Sequence, residues 1–407
     1  MFSKKELVFF SLILAAFFHF LFYLHAYGPS MSILEGPLIY LLAIASASLM
    51  IFVYLTTKWR LALSGISVRW FYDMLVIWIL ICFFRSFIEM RSIDEVIPFI
   101  FGNYMGLSMF PVLFFIAGLS VGYFYSLNKI LTVYFFIAAF ISFFFINYFE
   151  FQHFIVLFIF YMILTIPLRK PWSRLAIVLV SISIIITSLT NRAEILRVLI
   201  SYLIIIASFL LLYKKVHKSL LVFLVFIILM LPIGSLYLGS KGISVFQMFS
   251  RDSVEYSQID PYADTRTFLY YEVFQDLKQN QAFLFGKGLN AGYYSHSFQM
   301  DSRAVVEVGF LQILLKTGIL GFLLYISVII SSIIKALRRS RSQFVKSLGI
   351  YLASYIILLF IEIIVAYNLL NVVTWIVVGM CQSESLMEMN DQQIMQILHN
   401  KKPSTSR

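Results

Sequence analysis

The chain has 407 residues, of which 61% are hydrophobic and only 13% are charged, and its mean hydropathy is +0.91. This composition excludes a soluble globular protein, because apolar runs of about 17–25 residues recur, each long enough to cross a bilayer as a helix. The formal net charge of +11 does not indicate nucleic-acid binding, since the basic excess lies in short loops between the apolar runs. The sequence predicts an all-α polytopic membrane protein that contacts membrane lipid and no nucleic acid.

Twelve apolar runs are predicted to span the membrane as helices. In chain order they cover residues 6–26, 33–56, 70–90, 105–124, 130–148, 152–168, 173–189, 194–213, 219–239, 305–334, 346–364 and 367–381. The last two runs belong to one apolar stretch, which is interrupted by Glu362 and by the polar residues Tyr367, Asn368 and Asn371. A single long tilted helix there, giving eleven spans, is the alternative.

The basic residues of the short loops predict the orientation of these spans. With the N-terminus inside, the cytoplasmic loops carry seventeen lysines and arginines, whereas the short outer loops carry only Arg91 and Arg192. Such an excess of positive charge marks the cytoplasmic side. An even number of spans returns the C-terminal lysines, Lys401 and Lys402, to that side, which favours twelve spans over eleven.

One extramembrane segment is large, and the orientation places it outside. Within it, Asp264 is a plausible N-cap for a helix that continues to about Lys278, and Gly286 and Gly288 mark a turn. The predicted domains are membrane helices 1–9 in residues 1–239, the partly helical external loop in 240–304, membrane helices 10–12 in 305–381, and a polar cytoplasmic tail in 382–407 with a short amphipathic helix around 386–398.

Several catalytic motifs are missing from the sequence. Gly286-Lys287-Gly288 lacks the rest of a phosphate-binding Walker loop, and no GxSxG, HExxH or paired CxxC motif occurs. The six histidines show no spacing of metal ligands. These absences argue against an ATPase, a serine hydrolase or a zinc enzyme, and neither a metal nor a cofactor is predicted.

The orientation gathers a set of ionisable residues at the outer side. Arg85 and Glu89 are spaced i, i+4, which fits either an ion pair within the third span or a substrate contact. Arg192 lies at an outer turn and Arg266 at the start of the loop helix. Each of these two arginines is either a solvated surface charge or a phosphate ligand, for which the planar guanidinium is well suited.

Four polar residues lead into the tenth span, namely His296, Asp301, Arg303 and Glu307. On a continuous helix, Leu314, Gly318 and Gly321 follow Glu307 at +7, +11 and +14 and share its face. Lys316, at +9, is predicted on the opposite face. Glycines at this spacing favour close helix packing, so Glu307 is expected to face the helix bundle as a candidate general base.

These residues carry a resemblance to a known family. Thr190-Asn191-Arg192-Ala193, Thr265-Arg266-Thr267 followed by a helix and Gly286-Lys287-Gly288, and Glu307 followed by Gly318-x-x-Gly321 resemble the motifs of the O-antigen polymerase (Wzy-type) and O-antigen ligase superfamily of integral membrane glycosyltransferases. The motifs cover about residues 190–325. The N-terminal half resembles the family only in hydropathy.

The resemblance implies polymerisation of oligosaccharide repeat units linked through a diphosphate to a polyprenyl lipid such as undecaprenol, at the periplasmic side of a bacterial inner membrane. Arg192 and Arg266 would stabilise the diphosphate leaving group and Glu307 would accept the proton of the attacking hydroxyl. The expected substrate-binding residues are His296, Asp301, Arg303, Arg85 and Tyr270. A flippase and a chain-length regulator of the same pathway are the expected protein partners.

One departure from the family motif distinguishes two functions. Ligases of the superfamily usually carry a histidine eleven residues before the G-x-x-G, where this sequence has Glu307. The polymerase is therefore favoured over a ligase that transfers finished polymer to a lipid or protein acceptor. A non-enzymatic flippase or transporter is the more distant alternative, since the sequence shows no internal repeat and has a large outer loop.

Overall fold

The computed structural model describes residues 3–27, 36–56, 66–90, 106–144, 153–187, 197–206, 267–296, 298–361 and 365–399. About 80% of this part of the chain is helical, and its strands form one two-stranded hairpin. Six of the described helices are long and apolar enough to cross a membrane. The protein is therefore an all-α membrane protein, as the composition predicts, while the count of twelve spans stays a prediction.

In chain order the helices are α1 (Lys4–Tyr27), α2 (Gly36–Thr56), α3 (Ile66–Glu89), α4 (Phe115–Gly118), α5 (Val121–Phe144), α6 (His153–Leu164), α7 (Pro171–Thr187), α8 (Arg197–Ile206), α9 (Thr267–Gln279), α10 (Gly309–Arg339), α11 (Gln343–Ile361), α12 (Leu369–Met380), α13 (Glu384–Glu388) and α14 (Asp391–Leu398). The strands, which lie between α9 and α10, are β1 (Tyr293–Ser295) and β2 (Met300–Arg303). The six long apolar helices are α1, α2, α3, α5, α10 and α11. A helix makes its backbone hydrogen bonds internally, which is what an apolar environment requires.

Short helices buried by protein fill the centre of the bundle. The 3₁₀ turn Phe110–Phe114, α4 and α12 are buried at every position. Where α4 crosses α12, a Cβ on Gly379 would lie 2.0 Å from the carbonyl oxygen of Phe115. The predicted fourth span, 105–124, is thus wrong as a continuous helix. Pro111 starts a 3₁₀ turn there, and a separate long helix begins at Val121.

The last apolar stretch forms two helices rather than one. α11 ends at Ile361, and α12 begins after Asn368, whose side-chain oxygen accepts a hydrogen bond of 2.9 Å from the backbone N–H of Asn371. An asparagine N-cap of this kind satisfies a donor that the first turn of a helix leaves unpaired. The predicted separate spans 346–364 and 367–381 agree with this arrangement. Glu362 and the predicted span 219–239 lie outside the described residues.

The start of α1 and the C-terminal tail lie at one end of the bundle, and α9 and the hairpin lie at the other. At one end, Lys4 Nζ donates to the carbonyl of Thr56, and Ser383 Oγ donates to the carbonyl of Leu119 at 2.8 Å. Lys335 pairs with Glu384 at 2.9 Å at the same end. The start of α1 and the tail helices α13 and α14 therefore lie beside the basic α10–α11 turn. α9 and the hairpin lie at the other end of α10.

α10 is broken at Gly318, whose φ of 69° and ψ of −176° are not helical. The break leaves backbone groups of both halves without partners inside the helix. The preceding segment 283–288, here called the glycine loop, supplies them. Lys287 N–H donates to Leu315 O at 2.7 Å, and Ile319 N–H donates to Phe283 O at 2.9 Å. The prediction of one continuous tenth helix is thus wrong. The chain forms two half-helices on either side of Gly318, and the glycine loop hydrogen-bonds to both.

Side chains from α3 and α10 complete the junction at the break. Trp78 Nε1 donates to Thr317 O at 2.9 Å, and Arg85 donates to Phe285 O at 3.1 Å and to Gly286 O at 2.8 Å. Lys316 is fully buried, and its Nζ donates to the carbonyl of Leu289. The prediction that Lys316 points away from the packed face is therefore wrong.

Candidate active site

The hairpin places the candidate site at the mouth of α10. β1 and β2 are antiparallel, with Tyr293 opposite Arg303, and a short segment then leads into α10. Glu307 lies in this segment, because the helix begins only at Gly309 with Val308 as its N-cap. The predicted shared helix face of Glu307 and Gly318 is consequently wrong. Glu307 precedes the helix, and the non-helical backbone at Gly318 interrupts the helical periodicity that would place the two residues on one face.

Glu307 is held by Arg303. Arg303 Nη2 and Glu307 Oε1 are 2.9 Å apart, and the two side chains are 14% and 37% exposed. Arg303 also donates through Nη1 to the hydroxyl of Tyr293 at 3.0 Å, and its guanidinium carbon lies 3.8 Å from the centroid of the Phe298 ring. An arginine held by a carboxylate, a phenol and an aromatic face has a fixed orientation. The pair therefore presents a partly exposed carboxylate in a defined position.

Tyr293 and Ser295 support this pair from the buried face of β1. Burial raises the pKa of Tyr293 above its ordinary value, and the neighbouring Arg303 only partly opposes this. The phenol is therefore protonated at neutral pH, and its oxygen accepts the Arg303 hydrogen bond. Ser295 Oγ donates to Glu272 Oε2 at 2.8 Å, which ties the hairpin to α9.

The segment before α10 is anchored independently of the ion pair. The side-chain oxygen of Gln312, which is fully buried in α10, accepts a hydrogen bond of 2.8 Å from the backbone N–H of Val306. A buried amide in this position fixes the backbone next to Glu307, since breaking the bond would leave a polar group unsatisfied. The Glu307 carboxylate thus belongs to a segment whose backbone is held by a side chain of α10.

A second ion pair connects α9 with the glycine loop. Lys287 Nζ lies 2.7 Å from Asp276 Oδ2 and donates to Gly292 O at 2.8 Å. Asp276 is buried on α9, so this contact has more weight than a surface ion pair. It holds the start of the hairpin against α9.

Of the predicted substrate-binding residues, three lie on the hairpin. His296 and Asp301 are exposed, and Arg303 is half-buried beside Glu307. Their role in binding substrate stays a prediction. His296 and Asp301 take no part in the ion pair that orients Glu307.

The other two, Tyr270 and Arg85, make packing contacts, and their role in substrate binding stays a prediction. Tyr270 is buried, and its hydroxyl donates to the carbonyl of Phe360 at the end of α11. Arg85 donates both Nη groups to carbonyls of the glycine loop. The predicted partner of Arg85 is Glu89, whose side chain lies outside what is described.

The two predicted phosphate ligands, Arg192 and Arg266, lie outside the described residues. The arrangement that sequence reasoning missed is the junction of Lys316, Gly318 and the glycine loop. The sequence analysis identified both glycine motifs, but it interpreted Gly318-x-x-Gly321 as a helix-packing motif and Gly286-Lys287-Gly288 as a turn. Nothing in the sequence indicates that these two glycine motifs meet.

Comparison of the chain with protein-family models, with curated proteins and with solved structures finds no match. The functional argument therefore depends on the residues of the site themselves.

Proposed function

We propose that this protein is an integral membrane glycosyltransferase that polymerises oligosaccharide repeat units linked through a diphosphate to a polyprenyl lipid. The observation that carries the proposal is the Arg303–Glu307 pair, at 2.9 Å, beside the exposed aromatic ring of Phe298. A carboxylate, a guanidinium and an aromatic face together suit a sugar hydroxyl that must be bound and deprotonated. The site lies at the end of α10 opposite the basic α10–α11 turn, which agrees with catalysis on the outer leaflet.

In the proposed reaction, a hydroxyl oxygen of the acceptor repeat attacks the anomeric carbon of the donor repeat. The new glycosidic bond forms as the bond between that carbon and the diphosphate oxygen breaks. Glu307 takes the hydroxyl proton, and polyprenyl diphosphate leaves with the bonding electrons. Arg303 holds Glu307 in place, and Arg192 and Arg266 keep their predicted role of stabilising the leaving diphosphate. The diphosphate is already activated, so no nucleotide is consumed.

The test uses purified protein in liposomes with a synthetic polyprenyl-diphosphate-linked repeat unit. We expect a ladder of lipid-linked oligomers from the wild-type protein. Glu307→Gln should lower the rate at least about a hundred-fold, the usual size of the effect of losing a general base. Glu388→Gln is the matched control, because Glu388 is an exposed carboxylate on α13 at the other end of the bundle. It should retain the full ladder.

The outcomes separate the alternatives. A full ladder from monodisperse Glu307→Gln protein would refute the role of Glu307. A product that forms only after a separate lipid or protein acceptor is added would identify a ligase. Movement of the intact lipid-linked unit across the bilayer without any new glycosidic bond would identify a flippase.

A further inference from the structure

The glycine loop carries an inference that is independent of the proposed reaction. We infer that residues 283–288 form a re-entrant loop, whose apolar side chains lie in the hydrocarbon of the membrane against lipid chains. The sequence places these residues in a large external loop. Four features of the structure place them deeper.

The first feature is depth along α3. Trp78 stands at the midpoint of the candidate span Val68–Ile88, and the centroids of the Trp78 and Phe285 rings are 5.8 Å apart. Arg85, which binds Phe285 O, is seven residues further along α3, or about 10 Å at 1.5 Å per residue. Phe285 therefore lies beside the outer half of α3, inside the span.

The second feature is exposure of apolar side chains. Phe283, Leu284 and Phe285 are 39%, 53% and 50% exposed although they are consecutive. Phe84 on α3 and Leu323 on α10, the two helices that the loop contacts, are also exposed and apolar. In water such an apolar surface would be unfavourable by about 25 cal/mol per Å². Next to lipid chains it has no such cost, so the loop continues the lipid-facing surface of α3 and α10.

The third feature is satisfaction of the backbone. Non-helical backbone occurs at membrane depth only where protein groups satisfy its hydrogen bonds. Gly286 N–H donates to Ala282 O at 2.8 Å, and Gly288 N–H donates to Lys316 O at 3.1 Å. The carbonyls of the loop accept from Arg85 and from the second half of α10, as described above. Protein groups thus bind the carbonyls of residues 283–286 and the N–H groups of residues 286–288.

The fourth feature is the direction of the one charged side chain in the loop. The ammonium of Lys287 turns away from the apolar tip and binds Asp276 and Gly292 O. Asp276 lies on α9, on the side of the external segment. The charge is therefore neutralised by protein, while the apolar side chains of residues 283–285 face away from the protein.

The test compares two variants that each carry one added cysteine, in protein reconstituted into lipid nanodiscs, where aqueous reagents reach both faces. Leu284→Cys and Tyr294→Cys are matched, because Leu284 and Tyr294 are 53% and 54% exposed. The native Cys82 and Cys381 are both fully buried and provide a low background. A thiol reacts with a maleimide as the thiolate, which needs water. We expect the Leu284→Cys variant to react with a charged maleimide at least about ten-fold more slowly than the Tyr294→Cys variant.

Unfolding in SDS should make each variant react at one thiol more than the wild-type protein, whose Cys82 and Cys381 also become accessible, which shows that the introduced thiol is present and reactive. Phe283→Cys serves as a second loop variant if Leu284→Cys does not elute as monodisperse protein. A nitroxide attached to the loop thiol should collide with dissolved oxygen more than with a water-soluble nickel chelate. Equal maleimide rates for the loop variant and for Tyr294→Cys in nanodiscs would overturn the inference, whether or not the protein polymerises sugars.

Discussion

At the scale of the residue, Gly286 and Gly318 set how closely the glycine loop approaches α10. Both have positive φ, 67° and 69°, and a Cβ on Gly286 would lie 2.5 Å from the backbone nitrogen of Gly318. A side chain at either position is strained by its backbone and collides with the opposite segment of the junction. The glycine motifs of this region are thus required by packing, whatever the chemistry nearby.

Gly286→Ala should destabilise the protein by about 2–4 kcal/mol, because it adds left-handed backbone strain to an overpacked contact. The measurement is the midpoint temperature at which purified protein in detergent ceases to elute as a single species after heating. A clearly lower midpoint than that of the wild type is expected.

Gly122→Ala is the control for this change. Gly122 lies in the first turn of α5, and a Cβ there would meet no described atom closer than 3.6 Å. This substitution should raise the stability by no more than about 1 kcal/mol through helix propensity. Equal midpoints for Gly286→Ala and Gly122→Ala would contradict the packing argument.

Single residues of the site were predictable to different degrees. Arg303 and Glu307 both belong to the polar residues that the sequence places before α10, but their ion pair was not predicted. Arg85 is predicted either to pair with Glu89 or to contact substrate, whereas the bonds that the structure shows go to carbonyls about two hundred residues later in the chain. Contacts of that separation leave no periodicity in the sequence, which is why the role of Arg85 could not be read from it.

At the scale of the element, α11 depends on the C-terminal tail for its start. Asp391 Oδ2 accepts from Gln343 N–H at 3.2 Å, and Oδ1 accepts from Phe344 N–H at 3.1 Å and from Ser342 Oγ at 2.5 Å. These N–H groups belong to the first turn, where no helical carbonyl is available. A carboxylate at this end also interacts favourably with the helix dipole. The tail is thus part of the folded bundle.

Asp391→Ala should lower the stability by about 1–2 kcal/mol, the usual cost of losing a helix cap. The thermal midpoint in detergent is again the readout. Glu388→Ala removes a carboxylate of the same tail that is exposed on α13. That control should leave the midpoint unchanged, and an equal drop in both variants would indicate a general charge effect instead of capping.

The elements themselves were largely predictable, with exceptions in the tenth helix and around residues 105–148, where α5 begins at Val121 and not at 130. Hydropathy locates apolar runs, so α1, α2, α3 and α11 lie close to their predicted positions. It does not reveal interruptions inside a run, such as the 3₁₀ turn before α4 and the break in α10. Both interruptions are stabilised by segments distant in the chain, and Gly318 looks like any glycine in an apolar helix.

At the scale of the whole molecule, the segments that the basic residues place on one side of the membrane also pack together at one end of the bundle. The start of α1, the end of α2 and the tail helices meet at the end of the bundle that carries the basic α10–α11 turn. The sequence predicted this grouping from its lysines and arginines. The assignment of that side to the cytoplasm stays a prediction.

Reporter fusions in a bacterial host test the assignment. A fluorescent protein fused to either terminus should fluoresce, because both termini are predicted in the cytoplasm. Alkaline phosphatase inserted after Gln299, in the turn of the hairpin, should be active, since that enzyme folds only outside. Opposite behaviour of the two termini would contradict the even number of spans.

The crossing of α4 and α12 also has a consequence for the order of folding during synthesis. α12 has twelve residues, about 18 Å of helix, and protein surrounds every one of them. Its close contact at Gly118 and Gly379, and the 2.8 Å hydrogen bond from Tyr367 to Ser46, join the last part of the chain to the first third. The ribosome delivers the N-terminal helices first. Those helices are therefore made before α12, and the centre of the bundle is complete only after α12 has been synthesised.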